Sequence, residues 1–183
     1  MSAEPVPQPI IETERLTLRE LTEGDAAFIL RLLNEPAFLE YVGDKGVRTL
    51  ADARRYIREG PISSYKQHGF GLYLVQHGED GCSIGMCGLL KRNSLDDPDI
   101  GFGFIPEYWS QGFATESALA VLSRAKSQHG LSRVVAITAP HNSASIQVLE
   151  KIGLRFEKTL CLTEGSPEIF LFSTSDPDVG RER

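Results

Sequence analysis

Between Asp99 and Glu116 the chain reads DIGFGFIPEYWSQGFATE, and these residue types could cradle an anion. Gly112 stands where a long helical pattern opens. A helix N-terminus offers four unpaired N–H groups and about half a positive charge, and a glycine there lets an anion reach the backbone. Gln111, Gly112, Phe113, Ala114 and Thr115 would supply the donors, with the Thr115 hydroxyl as one more. The plainer reading is a strand–loop–helix junction that uses Gly112 for its turn. Upstream, Gly101 and Gly103 fall on one face of a strand and Ile100, Phe102 and Phe104 on the other. Two bare positions on one face invite a close approach by another chain or a ligand, and Asp99 shares that face. The segment is neither a P-loop, since no G-x-x-x-x-G-K-[ST] occurs, nor a dinucleotide fingerprint, since no G-x-G-x-x-G opens the helix.

The elements that must position this segment can be read outward from it. Gly112 to Gln128 places Ala114, Ala118, Val121, Leu122 and Ala125 on one stripe, and Gly130 stops that helix. Arg133 to Thr138 is a nearly continuous apolar run, as in a strand buried on both faces. Asn142 caps a short helix carrying Ile146, Val148, Leu149 and Ile152. Before the segment, strands are predicted over Arg15 to Leu21, Phe70 to Gln76 and Ser83 to Lys91. Between the first two lie helices started by Thr22 with Asp25 and by Thr49 with Asp52. Pro36 should end the first of these helices, and Gly60-Pro61 should break or kink the second. Leu154 to Leu160 and Glu168 to Ser173 close the chain as strands. The order β-α-α-β-β-β-α-β-α-β-β predicts an α/β fold with a mixed sheet.

Composition narrows the function classes. The 183 residues fit one domain of roughly 100–200 residues. A hydrophobic share of 41% and a charged share of 24% exclude disordered, collagen-like and coiled-coil chains. A net charge of -6 argues against a dedicated nucleic-acid binder. Cys82 and Cys87, five apart, point to opposite faces of a strand and Cys161 is alone, so a reduced cytoplasmic setting fits. The four histidines show no ligand spacing, and no metal site is expected. No apolar run is long enough for a membrane span. The start, MSAEPVPQPI, lacks the features of a signal peptide and reads as a Pro-rich flexible lead. The domain is expected over residues 10–173, with flexible termini at 1–9 and 174–183.

Two runs, PEYWSQGFATESA and ITAPHNSASIQVLEKIGLRFE, resemble the GNAT acetyltransferases, and within them the RimJ/RimL-like branch. The family's phosphate loop, Q/R-x-x-G-x-G/A, reads here Trp109-Ser110-Gln111-Gly112-Phe113-Ala114. Trp109 departs from the usual first residue, in a form common in that branch. The resemblance covers about residues 10–173 and implies an N-acetyltransferase that moves an acetyl group from acetyl-CoA to a primary amine. It places the pyrophosphate on the amides of Gln111 to Thr115. It runs the pantetheine beside Phe102 to Ile105, where Phe104 or Ile105 would polarise the carbonyl, and brings Asn142 and Ser145 to the other side of the gap. Asp99 becomes the candidate base, although with Asp97 it also fits a solvated turn. Leu149 occupies the position of the family's usual tyrosine acid, which leaves Ser145 or Ser143 as proton donor. Glu40, Tyr41 and Trp109 are expected at the acceptor. The missing tyrosine keeps open a GNAT-fold module that binds acyl-CoA without turning it over. Protein N-termini and small-molecule amines both fit as acceptors, with no nucleic acid or membrane partner, and the protein as monomer or homodimer.

Overall fold

The computed structural model describes residues 7–174, so most of the expected flexible termini lies outside the described residues. The lead gives its last residues to a strand, β1 (Pro9–Glu12), which pairs with β2 (Leu16–Glu20). This strand was not predicted, because its two isoleucines are too few to show alternation. Its pairing is what fixes it: a bulge between Pro9 and Ile11 absorbs the proline at an outer strand.

A tight turn at Glu23–Asp25 leads into α1 (Ala26–Leu33). Thr22 N–H donates to Asp25 Oδ2 at 2.8 Å, as the start signal predicts. Pro36 does not close this helix but opens another, α2 (Pro36–Tyr41). Proline suits a first turn, where its missing N–H has no partner to lose. Thr49 and Asp52 form the reciprocal cap of α3 (Leu50–Ile57), with bonds of 3.1 and 3.0 Å. Gly60-Pro61 does not end the helical run. A π-helical segment, Arg58–Ile62, accommodates the proline, and α4 (Ser63–His68) continues to Gly69, whose φ is +75°.

Strands β3 (Leu72–His77), β4 (Ser83–Leu90) and β5 (Asp99–Phe104) follow as predicted, then α5 (Phe113–His129), β6 (Val135–Thr138), α6 (Ser143–Lys151), β7 (Arg155–Leu160) and β8 (Ile169–Ser173). Among the described residues they form one eight-stranded mixed sheet, ordered β1-β2-β3-β4-β5-β6-β8-β7. One core lies beneath α5 and α6, with Leu16, Leu18, Ile100, Phe104, Phe113 and Val121. The other lies beneath α1 to α3, with Ile29, Leu33, Phe38, Ile57, Leu74 and Met86. The alternation of Ile100 and Phe104 against the glycines is therefore real, and each face of the sheet packs its own layer of helices. Cys87 is buried and Cys82 exposed, both as free thiols.

The sheet divides at its centre. β5 and β6 run parallel but share a single register pair, Asp99 with Val135. Beyond it β5 stays paired to β4, and β6 to β8. Each half keeps one full ladder, and the two strands diverge into a wedge.

Candidate active site

The wedge opens into a cavity of about 670 Å³. Asp99 to Phe102 of β5 form one wall and Ala136 to Ala139 the other, with Asn142, Ser145 and Leu149 of α6 beside them. Past Asp99 no residue of β6 bonds to β5, so backbone groups on that side of β5 stay open to an extended ligand. The kinked helical run supplies Gly60, Pro61, Ser63 and Ser64 to the far wall, so the π segment shapes the cavity as well as accommodating the proline. Tyr41, which lines the cavity, meets the ring of His141 with centroids 5.4 Å apart.

The glycine face of β5 is only partly open. A Cβ on Gly103 would lie 3.2 Å from the Phe38 ring, and one on Gly101 would lie 2.9 Å from Leu90. Gly103 thus accommodates the chain's own phenylalanine, while Gly101 and Phe102 reach the cavity. Phe104 and Ile105 do not. Both are buried past the cavity's end, Phe104 C=O accepts from Trp109 Nε1 at 2.7 Å, and Ile105 N–H donates to Ile84 C=O at 3.0 Å. The Ile105 amide is therefore spent within the sheet, and Gly101 and Phe102 are the residues of this stretch that face the cavity.

Asp99 lies on the cavity wall but is 1% exposed, which excludes the solvated-turn alternative. Both its oxygens accept from Arg92 Nε, each at 3.1 Å. Burial pushes its carboxyl up, the Arg92 guanidinium pulls it down, and burial prevails. Asp97, by contrast, pairs with Arg133 at 2.8 Å.

At the other end of β5 the chain turns into α5 with Ser110 and Gly112 both left-handed, φ +59° and +83°. Turns of this kind gather amides into a concave anion cradle. The first helical bond runs from Glu116 N–H to Gly112 C=O at 2.9 Å, so the amides of Phe113, Ala114 and Thr115 precede the ladder and are spare. Phe113 itself is buried, and Arg15 lies over its ring at 4.5 Å. Arg15 also donates to Gln111 C=O at 2.9 Å and pairs with Glu116. Gln111 Nε2 donates to Glu107 C=O. Arg15 brings a guanidinium, its charge shared with Glu116, beside the cradle and was missed from sequence. It lies on the far side of the sheet in chain order, and no local spacing marks it.

On α6, Asn142 Oδ1 accepts from Ser145 N–H at 3.2 Å, which is the cap read from sequence. The Ser145 hydroxyl bonds to no described group and lines the cavity. Leu149 presents an aliphatic side chain to the cavity wall, so no phenol stands at that position. Of the three expected acceptor residues, Tyr41 lines the cavity, whereas exposed Glu40 and half-exposed Trp109 lie outside its lining. Lys45, Tyr56 and Arg92 line it and were missed, because only folding brings their separate segments to one wall. Among the described residues no group of three histidines, cysteines or carboxylates is placed to hold a metal, and no helix is long and apolar enough to cross a membrane.

Comparison with known proteins agrees with this geometry. The family model of the acetyltransferase (GNAT) domain matches residues 15–155. The chain is 31% identical over 154 residues to the uncharacterized N-acetyltransferase YoaA of Bacillus subtilis (strain 168), covering 83% of this chain and 86% of that protein. An acetyltransferase structure from Agrobacterium tumefaciens str. C58 superposes with a TM-score of 0.78 at 24% identity, covering 96% of this chain and 99% of that one. RimL, described as a ribosomal L7/L12 alpha-N-protein acetyltransferase in complex with coenzyme A, superposes at 0.78 with 16% identity over 91% and 97% of the two chains.

Proposed function

The chain belongs to the GNAT acetyltransferases and is an acetyltransferase, and from that premise we propose that it moves the acetyl group of acetyl-CoA directly onto a primary amine. The observation that carries this reading is the wedge between β5 and β6, open on a cavity with a spare-amide cradle at the end of the same strand. The coenzyme A bound by RimL supports the same donor.

The residues present fit acetyl-CoA. Gln111 to Thr115 and Arg15 would hold its pyrophosphate with amides and one guanidinium. The open backbone of Gly101 and Phe102 would grip its extended arm from one side, with Asn142 and Ser145 on the other. When bound, acetyl-CoA supplies an activated acetyl thioester.

A primary amine is mostly protonated near neutral pH, since α-amino and lysine groups have pKa values of about 8 and 10. A base must therefore take a proton before attack. Asp99 is assigned this role, directly or through one water. Its burial makes the carboxylate more basic, and its oxygens keep lone pairs beyond those given to Arg92. Ser145 Oγ–H is assigned as donor to the departing sulfur, because it bonds to no described group and the residue lines the cavity. Tyr41 borders the acceptor's entry.

Release of free thiol from acetyl-CoA in the presence of a panel of amines tests the reading. Amine-dependent thiol release with acetylated product supports it. Tight acetyl-CoA binding with no turnover on any amine would replace it with a binding module.

A further inference from the structure

We propose that the acceptor presents an anionic group, a carboxylate, to Lys45 and Arg92, so that this enzyme acetylates amines that also carry a negative charge. The inference rests on the acetyltransferase reading and deepens it.

Three cations, Lys45, Lys91 and Arg92, line the cavity of a chain whose net charge is -6. Lys91 is occupied, since its Nζ donates to the carbonyls of Leu95 and Asp96 at 2.9 and 2.6 Å. The other two are not. Arg92 gives only its Nε–H to Asp99, and its two Nη groups, with four N–H donors, bond to no described residue. Asp99, buried beside it, anchors the guanidinium through Nε, and Arg92 lines the cavity. Lys45 has no carboxylate partner among the described residues. Loss of solvent, and after it the charge of Arg92, hold its ammonium below the ordinary value. Glu59 borders the same cavity and pairs with neither cation.

Asp99 is the counter-ion of Arg92, so with Lys45 beside it the cluster keeps one positive charge in excess and leaves the Arg92 Nη donors unfilled until an anion arrives. A guanidinium fork held by a buried carboxylate, with an ammonium beside it, matches the two oxygens of a carboxylate. The anion is not a phosphate of the donor. Asp99 begins β5, whereas the amide cradle follows its end, roughly 17 Å away at about 3.3 Å per residue. It is therefore the acceptor that meets Arg92 and Lys45. With Asp99 on the same wall, the amine and the anion of one small molecule can be read at adjacent points.

Matched acceptors test this. Free L-amino acids are compared with their carboxamides, and short peptides bearing Glu at the second residue with the same peptides bearing Gln. The expected result is a kcat/KM at least tenfold higher for the carboxylate form in one of the two series, and that series identifies whether the anion belongs to a free amino acid or to a peptide. The carboxamides have the more readily deprotonated α-amine, so intrinsic reactivity works against the expected order. In Lys45→Gln and in Arg92→Lys, which keeps a charge beside Asp99, the ratio should fall toward one. Equal or better use of the uncharged forms by the native enzyme overturns the proposal, as does a ratio that survives both variants.

If no acceptor in the panel turns over, the coenzyme A complex is titrated calorimetrically with the N-acetylated forms of the same pairs. A carboxylate preference lost in Lys45→Gln sustains the anion site, and its absence overturns it. A separate titration with acetyl-CoA alone reports on the donor site, so failure of the acetyltransferase reading is distinguished from failure of this one.

Discussion

Placing a negative charge at the mouth of the amide cradle separates the electrostatic role of Gly112 from its conformational one. Gly112 has φ +83°, and a Cβ built there lies 3.3 Å from Arg15 Nη2. Any side chain in that conformation costs about 1–2 kcal/mol. That cost falls on the free and the loaded protein alike, so it lowers stability and leaves affinity nearly untouched. Aspartate adds a charge. At about 5 Å from one phosphate charge and an effective dielectric of about 30, the repulsion is about 2 kcal/mol. The new carboxylate also competes for Arg15. Gly112→Asp should therefore weaken acetyl-CoA binding by roughly 30-fold or more, while Gly112→Ala lowers stability by about 1 kcal/mol with its Kd within a few-fold of native. Calorimetric titration gives both affinities, and urea unfolding gives both stabilities. Repeating the titration near 1 M salt should shrink the aspartate penalty, because screening shortens to about 3 Å. Native affinity in Gly112→Asp would refute the cradle. An equal loss in Gly112→Ala would show that strain, and not charge, governs the site.

Three further predictions follow from the same geometry. Asp99→Asn should lower kcat by about 10²-fold. Because burial lifts this carboxyl from its ordinary value and a base must be ionised, native kcat should fall on acidification through a limb displaced upward from that value. The variant should lose the limb, and an unaltered pH profile removes Asp99 from the role. Ser145→Ala should reduce kcat by about 10²-fold with a KM for acetyl-CoA close to native, so an unchanged kcat leaves Ser145 as a helix residue only. Arg19 and Asp25 form a buried two-point ion pair, with bonds of 2.9 and 2.8 Å. Arg19→Met should cost about 3 kcal/mol at neutral pH. Burial pushes the Asp25 carboxyl up, but Arg19 and the Thr22 amide pull it to a net value below 3.8. Its contribution is thus present above that pH and lost as pH falls through the folded value, and the gap between native and variant in urea should close there. A gap that persists in strong acid would contradict the assignment.

How far the site was legible from sequence depends on the range of the interaction that makes each part. Gly112, Gly130 and the Asn142 cap were readable because a helix end is made by residues within four positions of one another. The alternation Ile100, Gly101, Phe102, Gly103, Phe104 was readable for the same reason, and its two faces do meet different layers. Pro36 and Pro61 were misread because proline marks a constraint without saying which side of it is helical. The burial of Phe38 on α2 and of Pro61 within the π segment decided that. Phe104 and Ile105 were expected to serve a ligand, yet neighbours in space had already claimed their backbone groups.

The sequence by itself determined the mixed α/β class, the parity of β5 and the helix that begins at Gly112, all consequences of local spacing, while the absence of a phenol at Leu149 was read through the resemblance to the family. Only the tertiary structure decided that β5 and β6 part after one register pair, that Arg15 bonds to Gln111 96 residues downstream, and that Asp99 is buried against Arg92 with Lys45 lacking a carboxylate partner among the described residues. Those features depend on which strands find which neighbours and on where water is excluded, and neither is written in any short stretch of the chain.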